Sequence, residues 1–256
     1  MTPTGWTVEA ELTRDPAQSR VWALRRGTVR AVFKQHQSAG KFHRERAALE
    51  ALAGFDWCPA LIAASPDDRA LLIEHRPGVP RADAAAGRRA GEVLAALHAT
   101  PVADADPLPL ADALRRRLTG WIERATGLLP PATLAALTAR FGDGAAFAGD
   151  RRVRCHRDFA PRNWLVDGAR FTLIDYEHAA PDHPLVDVVR LAEERFAEPG
   201  FEAAFAEGYG ASIDHDRLDR LLALHALATA AWGRRHHDAD YTRRGDRLLA
   251  RLGLTP

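Results

Sequence analysis

The sequence predicts an α+β fold with a small β-rich N-terminal lobe and a larger, mainly helical C-terminal lobe. The first observation is a series of short β-favouring runs within residues 1–74, each bounded by turn residues. The second is the Pro-Gly punctuation within residues 75–79, where an apolar strand pattern stops. The third is the amphipathic helical periodicity of residues 80–256. We therefore predict an N-terminal lobe at 1–74, a hinge at 75–79 and a C-terminal lobe at 80–256.

Composition excludes several classes of protein. The net charge of +1 gives no overall field that would attract nucleic acid, and the 46% hydrophobic content is ordinary for a globular chain of 256 residues. Cys58 and Cys155 are the only cysteines, too few for a disulfide framework or a zinc site. The N-terminus lacks a signal pattern and no apolar run is long enough to span a bilayer. We expect a cytoplasmic protein that binds neither nucleic acid nor membrane.

The N-terminal lobe is predicted to hold two hairpins and one helix. Four strands are predicted, at residues 20–24, 29–34, 61–64 and 70–74. Both connections are rich in turn-forming residues, with Gly27 in the first and Pro66-Asp67-Asp68 in the second. The helix is predicted over 41–53, because Gly54 is a natural residue to follow a helix end.

A carboxylate on the apolar stripe of this helix predicts a buried ion pair. Glu45 shares its stripe with Phe42 and Leu49, and a carboxylate there is costly unless a cation pairs with it. Lys34, at the end of the strand 29–34, is the obvious partner. Lys34 and Lys41 are the only lysines in the chain, and a compact ammonium suits a phosphate clamp. The alternatives are a nearby arginine as the partner of Glu45 and a lysine that merely ends an exposed strand.

The C-terminal lobe is predicted to contain seven helices. They cover residues 84–98, 110–125, 131–141, 184–191, 196–209, 217–232 and 241–252. Asp187 lies on the buried side of the fourth of these helices. Arg115-Arg116-Arg117 in the second is interpreted as a solvated helix face rather than a binding patch.

The stretch 155–176 concentrates the residues that carry chemistry. His156, Asp158 and Asn163 are spaced as H-x-D-x-x-x-x-N, and two β-favouring runs around Asp167-Gly168 then lead to Asp175. Because a hairpin brings its outer ends together, Asn163 and Asp175 should emerge side by side, with Asp158 a few residues upstream.

Carboxylate and amide oxygens at that position suit Mg²⁺ and a polyphosphate. The remaining carboxylate, Asp158, can accept or orient a hydroxyl proton. The alternative is a turn-rich hairpin whose acidic side chains are simply solvated.

At these residues the chain resembles the aminoglycoside phosphotransferase and choline kinase group, small-molecule kinases with a protein-kinase-like fold. His156-Arg157-Asp158 with Asn163 resembles the catalytic loop, and Ile174-Asp175-Tyr176-Glu177 resembles the metal-binding segment. The resemblance implies a two-lobed protein-kinase-like fold. It also implies Asp158 as the catalytic base, His156 as a support for its loop, and Asn163 and Asp175 as Mg²⁺ ligands.

The resemblance extends, more thinly, into the N-terminal lobe. Lys34 resembles the strand lysine that pairs with nucleotide phosphates, and Glu45 the glutamate that holds it. The residues after the strand 70–74 resemble the hinge that binds adenine, which implies contacts near Glu74, His75 and Arg76. ATP and Mg²⁺ are the implied cofactors. One departure is the loop at 12–19, which contains no glycine where this fold usually places glycines over the phosphates.

The implied reaction is transfer of the γ-phosphoryl group of ATP to a hydroxyl of a small molecule. Residues 175–216 hold eleven acidic residues against Arg190 and Arg195, a net of −9. If these acids face the acceptor, they favour a cation such as an aminoglycoside, another basic antibiotic or a choline-like amine, and a basic antibiotic would imply a role in resistance. If they only balance arginines elsewhere, the acceptor could equally be another metabolite, such as homoserine or a sugar, or a Ser/Thr of a precursor peptide. A non-catalytic pseudokinase is the alternative from another class. We expect a monomer or a weak homodimer.

Overall fold

The computed structural model describes residues 3–13 and 15–254. The chain forms two compact units, each assembled from three stretches of sequence. The first unit consists of the chain up to Thr100 with His156–Ala180 and Gly200–Gly210, and the second of Pro101–Cys155, Pro181–Pro199 and the residues from Ala211 onward. The boundaries of the lobes and hinge given above stay a prediction.

A five-stranded antiparallel sheet begins the first unit. Its strands are β1 (Thr7–Glu11), β2 (Ser19–Arg26), β3 (Val29–His36), β4 (Leu61–Ser65) and β5 (Ala70–Glu74), in the order β1-β2-β3-β5-β4. The four predicted strands are confirmed. Gly27 has a φ of +61°, which the tight turn between β2 and β3 requires. Leu24, Phe33 and Leu72 pack on one another in a hydrophobic cluster of the sheet.

Helix α1 (Ala39–Ala51) follows β3 and places Glu45 against the sheet. It begins two residues earlier than predicted, because the Ser38 side chain accepts a hydrogen bond from the Lys41 amide and caps the helix. The predicted apolar stripe is confirmed, since Phe42, Glu45 and Leu49 are all buried.

The predicted hairpin in the stretch 155–176 is confirmed. Five more short strands lie in the part of the chain that the structure describes: β6 (Val79–Pro80), β7 (Val153–Cys155), β8 (Trp164–Asp167), β9 (Arg170–Leu173) and β10 (Ala180–Asp182). Trp164 lies opposite Leu173, and Gly168 has a φ of +57° in the turn. The Ile174 amide donates to the Asn163 carbonyl over 3.0 Å, so the hairpin sets Asn163 beside the residue that precedes Asp175.

Seven more helices lie in the described residues. They are α2 (Ala84–Ala99), α3 (Leu110–Ala125), α4 (Pro131–Phe141), α5 (Leu185–Glu194), α6 (Phe201–Tyr209), α7 (His215–Arg235) and α8 (Ala239–Arg251). All seven predicted helices are present, but α6 begins at Phe201 rather than 196, because Pro199 and Gly200 interrupt the pattern. None of the described helices is both long and apolar enough to cross a membrane.

Glycines allow α2 and α6 to cross closely within the first unit. A Cβ on Gly91 would collide with the Phe205 carbonyl oxygen, and one on Gly208 with the Arg88 carbonyl oxygen. His98 at the end of α2 bonds Tyr209 over 2.8 Å, as expected of a packed structural histidine. In the second unit, α7 packs on α3, α4, α5 and α8, and Asp187 of α5 is fully buried.

Candidate active site

Lys34 lies at the centre of a cluster of carboxylates in the first unit, and β3 continues two residues beyond its predicted end at Lys34, to His36. Its Nζ is 2.8 Å from Glu45 Oε2 and 3.0 Å from Glu177 Oε2, and it also pairs with Asp175 Oδ1. The side chains of Lys34 and Glu45 are only 8% and 3% exposed. The predicted contact between Lys34 and Glu45 is therefore confirmed. One ammonium joins β3, α1 and the segment that follows β9.

The electrostatics of this cluster favour the ionised forms of Lys34, Glu45 and Glu177. Burial alone would lower the pKa of the Lys34 ammonium, but the charges of Glu45, Asp175 and Glu177 outweigh burial and raise it above its usual value. Burial likewise opposes ionisation of Glu45, yet the charge of Lys34 and the hydrogen bond with His36 lower the pKa of this carboxyl. The same balance lowers the pKa of Glu177, with Lys34 and Lys41 as its cationic partners.

Three members of the cluster were not predicted as site residues: His36, Lys41 and Glu177. His36 Nε2 is 2.9 Å from Glu45 Oε2, and the ring is fully buried. Lys41 Nζ lies 2.7 Å from Glu177 Oε1 and also bonds the side-chain oxygen of Gln18. The spacing of His36, Glu45 and Glu177 resembles a metal site, but the Lys34 ammonium already supplies positive charge among them.

Glu177 therefore links Lys34 and Lys41, since its carboxylate pairs with both ammonium groups. In the sequence, only its place in Ile174-Asp175-Tyr176-Glu177 marked it. The available signal for Lys41 was its rarity, as one of two lysines in the chain.

The residues of the predicted catalytic loop are fixed by short-range hydrogen bonds. The Asn163 amide nitrogen donates to the Asp158 carbonyl over 2.9 Å and to Asp158 Oδ2 over 3.1 Å, and Arg162 Nη2 pairs with Asp158 Oδ1. His156 Nδ1 accepts the Asp158 amide at 3.3 Å, so Nε2 carries the hydrogen and donates to the Ile174 carbonyl at 3.0 Å. The loop that carries Asp158 is therefore tied directly to the segment that carries Asp175.

Two residues of this region have left-handed backbone conformations although they are not glycines. Arg157 has a φ of +63° and Asp175 a φ of +71°. Such conformations cost of order 1–3 kcal/mol each in residues other than glycine. Arg157 immediately precedes Asp158, and Asp175 carries its own carboxylate. The side chains of Asp158 and Asp175 are 14% and 38% exposed.

Asn163 and Asp175 fit the donor requirements of Mg²⁺. The Asn163 amide nitrogen is committed to Asp158, which leaves the amide oxygen to act as a ligand. The Asp175 carboxylate is held by a cation, Lys34, and is the most exposed carboxylate of the Lys34 cluster. Both donors are hard oxygens, the type that Mg²⁺ prefers.

The three predicted adenine-contact residues lie apart from the Lys34 cluster. Glu74 ends β5, where its carboxylate accepts the Ala60 amide at 3.1 Å and pairs with Arg76 at 2.9 Å. The His75 amide donates to the Arg30 carbonyl at 3.4 Å, and burial, aided by Arg30, lowers the pKa of the His75 ring. A role for Glu74, His75 and Arg76 in binding adenine stays a prediction.

The glycine-free loop contacts the cluster through a side chain. Gln18, which immediately precedes β2, bonds Lys41, and Asp15 Oδ1 accepts the Ala17 amide at 3.0 Å. Arg14 lies outside the described residues.

Most acids of the segment 175–216 are paired with basic residues of their own unit. The pairs include Glu177 with Lys41, Asp182 with Arg117, Glu193 and Glu194 with Arg244, Glu198 with Arg195, Glu207 with Arg88, and Asp214 with Arg217. This pairing favours the second interpretation given above, in which the acids balance arginines elsewhere in the chain.

Proteins of known structure share the fold of this chain. A family model described as the phosphotransferase enzyme family matches residues 11–224. No curated protein matches the chain. Among solved structures, choline kinase LicA from Streptococcus pneumoniae superposes with a TM-score of 0.72 at 15% identity, covering 96% of this chain and 93% of that one.

Two further structures are similar. A thermostable mutant of aminoglycoside phosphotransferase APH(4)-Ia, in ternary complex with ADP and hygromycin B, gives a TM-score of 0.73 at 16% identity over 95% of this chain and 94% of that one. A choline/ethanolamine kinase family protein from Mesorhizobium loti gives 0.70 at 17% identity over 91% and 84%. The predicted protein-kinase-like fold is confirmed. With the family match over most of its length, the chain belongs to the phosphotransferase enzyme family and is a small-molecule kinase with a hydroxyl acceptor.

Proposed function

We propose that the protein transfers the γ-phosphoryl group of ATP, as its Mg²⁺ complex, to a hydroxyl of a cationic small molecule. The observation that carries this proposal is that the Lys34 ammonium contacts both the Glu45 carboxylate of α1 and the Asp175 carboxylate of the predicted metal-binding segment. A lysine held between these two carboxylates is positioned for the phosphates of a nucleotide.

Each residue of the site has a distinct part in the proposed reaction. Phosphoryl transfer passes through a loose transition state, so catalysis is mainly positioning and charge stabilisation. Asp158 would accept or orient the proton of the acceptor hydroxyl, and His156 would hold its loop through the Ile174 carbonyl. Lys34, oriented by Glu45, would bind the phosphates.

The Mg²⁺ ion would be held by Asn163 and Asp175. Once bound, it would neutralise charge on the phosphate oxygens. Because Lys34 pairs with Asp175 in this structure, the ammonium would exchange this carboxylate for phosphate oxygens when the metal nucleotide binds. An ATP-dependent enzyme of this kind would act in the cytoplasm.

A cationic acceptor is supported by the chemistry of the similar proteins. Choline, ethanolamine and hygromycin B, which appear in the names of those proteins or complexes, each combine a hydroxyl with a positively charged nitrogen. If the acceptor is a basic antibiotic, expression of the chain in a susceptible bacterium would raise the drug concentration needed to stop growth.

The experiment is an ATP-consumption assay over matched acceptors. Choline, ethanolamine, hygromycin B and other aminoglycosides are compared with neutral alcohols and sugars of similar size. The proposal expects saturable turnover with at least one cationic acceptor and at least tenfold lower kcat/KM with its neutral counterpart. Equal or better turnover of the neutral acceptors would contradict a cationic specificity.

Matched variants test the assignment of the base. Asp158→Asn should lower kcat by at least about a hundredfold while Mg-ATP still binds. Asp167→Asn, in the exposed turn of the same hairpin, is the control and should leave kcat unchanged. Near-normal turnover in Asp158→Asn would remove Asp158 from this role.

A further inference from the structure

A cavity in the second unit, which holds neither Lys34 nor Asp158, is lined by arginines. Its volume is about 640 Å³, and its walls are one face of α3, the segment 103–106, Arg152 and Pro181. On α3 the lining residues recur every three or four positions: Ala113, Arg116, Arg117, Gly120 and Arg124. Because Ala113 and Gly120 are small, they leave space that the arginine side chains enclose.

The charges around this cavity do not cancel. Three lining arginines have carboxylate partners: Arg116 with Asp106 at 3.1 Å, Arg117 with Asp182 at 2.9 Å, and Arg152 with Asp104 at 2.7 Å. Arg124 instead donates to the Gly120 carbonyl at 2.9 Å and stacks over the Trp121 ring. Within the described part of the chain, no carboxylate lies at ion-pair distance from Arg124. With Asp182 included, four arginines face three aspartates, which leaves an excess of one positive charge.

The four arginines differ in how firmly they are held. The Arg152 side chain is only 7% exposed, and Arg117 is anchored on Asp182, whose side chain is 1% exposed. Arg116, with 63% of its side chain exposed, has a pair on the surface that contributes little stability and exchanges easily. The cavity therefore has two fixed arginines in its wall and two, Arg116 and Arg124, whose guanidinium groups can turn towards a ligand.

We propose that this cavity binds a small organic anion that carries a phosphate or carboxylate group, with Arg124 and Arg116 as its main contacts. A guanidinium offers a planar pair of donors that matches both kinds of group. The volume is within the range of small-molecule sites, and the alanine and glycine surface accommodates the organic body of such a ligand. The triplet Arg115-Arg116-Arg117 is thus not uniformly a solvated face, since its second and third members line a cavity.

The test is calorimetric titration of the full chain at low salt with three probes: inorganic phosphate, glucose 6-phosphate and citrate. Glucose 6-phosphate and citrate separate a phosphate ligand from a carboxylate ligand, and inorganic phosphate shows what the anion alone contributes. Wild type should bind at least one organic probe saturably, and more tightly than inorganic phosphate. Arg124→Gln should weaken that binding roughly ten- to a hundredfold, the range for a lost hydrogen bond to a charged group.

Two further variants complete the design. Gly120→Leu fills the cavity, since a Cβ there meets only the flexible end of Arg124, and it should abolish binding. Arg115→Gln, on the same helix and outside the cavity, is the matched control and should change the affinity by less than twofold. Melting curves show that each variant is folded, which is expected because Arg124→Gln leaves no carboxylate unpaired.

The inference is overturned if no probe binds wild type saturably. It is equally overturned if Arg124→Gln and Gly120→Leu bind as wild type does, because the anion then lies elsewhere. Because no active-site residue lines the cavity, the result is independent of whether the proposed acceptor specificity holds.

Discussion

Removal of the Lys34 ammonium should destabilise the protein more than removal of the Glu45 carboxylate, although the two form one ion pair. Lys34 and Lys41 face the carboxylates of Glu45, Asp175 and Glu177, so the cluster has a formal charge of −1 when His36 is counted as neutral. Lys34→Met changes this charge to −2 at a buried position. Glu45→Gln changes it to zero and keeps the shape of the side chain.

The magnitudes follow from the distances. At 2.8 Å and an effective dielectric constant of about 20, one pair contributes about 6 kcal/mol of gross attraction before desolvation is subtracted. Leaving buried carboxylates without their cation should lower the free energy of unfolding by about 3–5 kcal/mol in Lys34→Met. Glu45→Gln loses a charged hydrogen bond but relieves repulsion, so its cost should be about 1.5–3 kcal/mol at most.

Urea unfolding followed by circular dichroism measures both variants and their combination. The double variant restores the wild-type charge of −1 and should therefore be at least as stable as Lys34→Met alone. The free-energy changes of the two single variants should then not add, and a double-mutant cycle measures this difference. The reasoning is refuted if Glu45→Gln costs as much as Lys34→Met, or if the two effects simply add. Both single variants should also lose affinity for Mg-ATP.

Three other predictions concern packing, pH and the catalytic loop. Gly91→Ala should lower the free energy of unfolding by about 1–3 kcal/mol, since the new methyl group meets a backbone carbonyl of α6. Gly40→Ala near the start of α1 meets only side-chain ends and should leave this free energy unchanged or raise it by up to about 1 kcal/mol in the same melts. The pKa of Glu45 lies at about 2 instead of 4.5, so the ionised carboxylate stabilises the fold by about 3 kcal/mol above pH 4.5, and this stabilisation is lost as the pH falls towards 2. Acid unfolding of Glu45→Gln should lack this component, and a pH dependence identical to that of wild type would contradict the prediction. Arg162→Gln removes the ion pair that orients Asp158 and should lower kcat about tenfold in steady-state assays with little change in the KM for ATP, whereas an equal rise in that KM would place Arg162 on the nucleotide instead.

The parts of the site that could be predicted are those encoded by local patterns. Lys34 lies in strand β3 and Glu45 on the apolar stripe of α1. A carboxylate buried on such a stripe requires a cationic partner. The turn at Asp167-Gly168 sets the register of the hairpin formed by β8 and β9, and this register places Asn163 beside Ile174. In both cases a short stretch of sequence determines the geometry.

The remaining contacts depend on where distant segments meet. Lys41 and Glu177 are 136 residues apart, and no periodicity relates them. His36 follows the strand alternation, but its position between two carboxylates depends on α1 and on the segment after β9 together. The acidic residues of the segment 175–216 could not be assigned from the sequence for the same reason. A count of charges does not reveal which basic residue each of them contacts.

The interleaving of the two units along the chain has a consequence for biosynthesis and for engineering. The first unit lacks α6 until Gly210 has left the ribosome. The face of α2 that carries Gly91 and packs on α6 therefore stays uncovered while more than a hundred further residues are translated. Fragments cut between residues 100 and 200 would each carry an incomplete core. Domain swaps with related enzymes should therefore exchange loops within a unit rather than contiguous halves of the polypeptide.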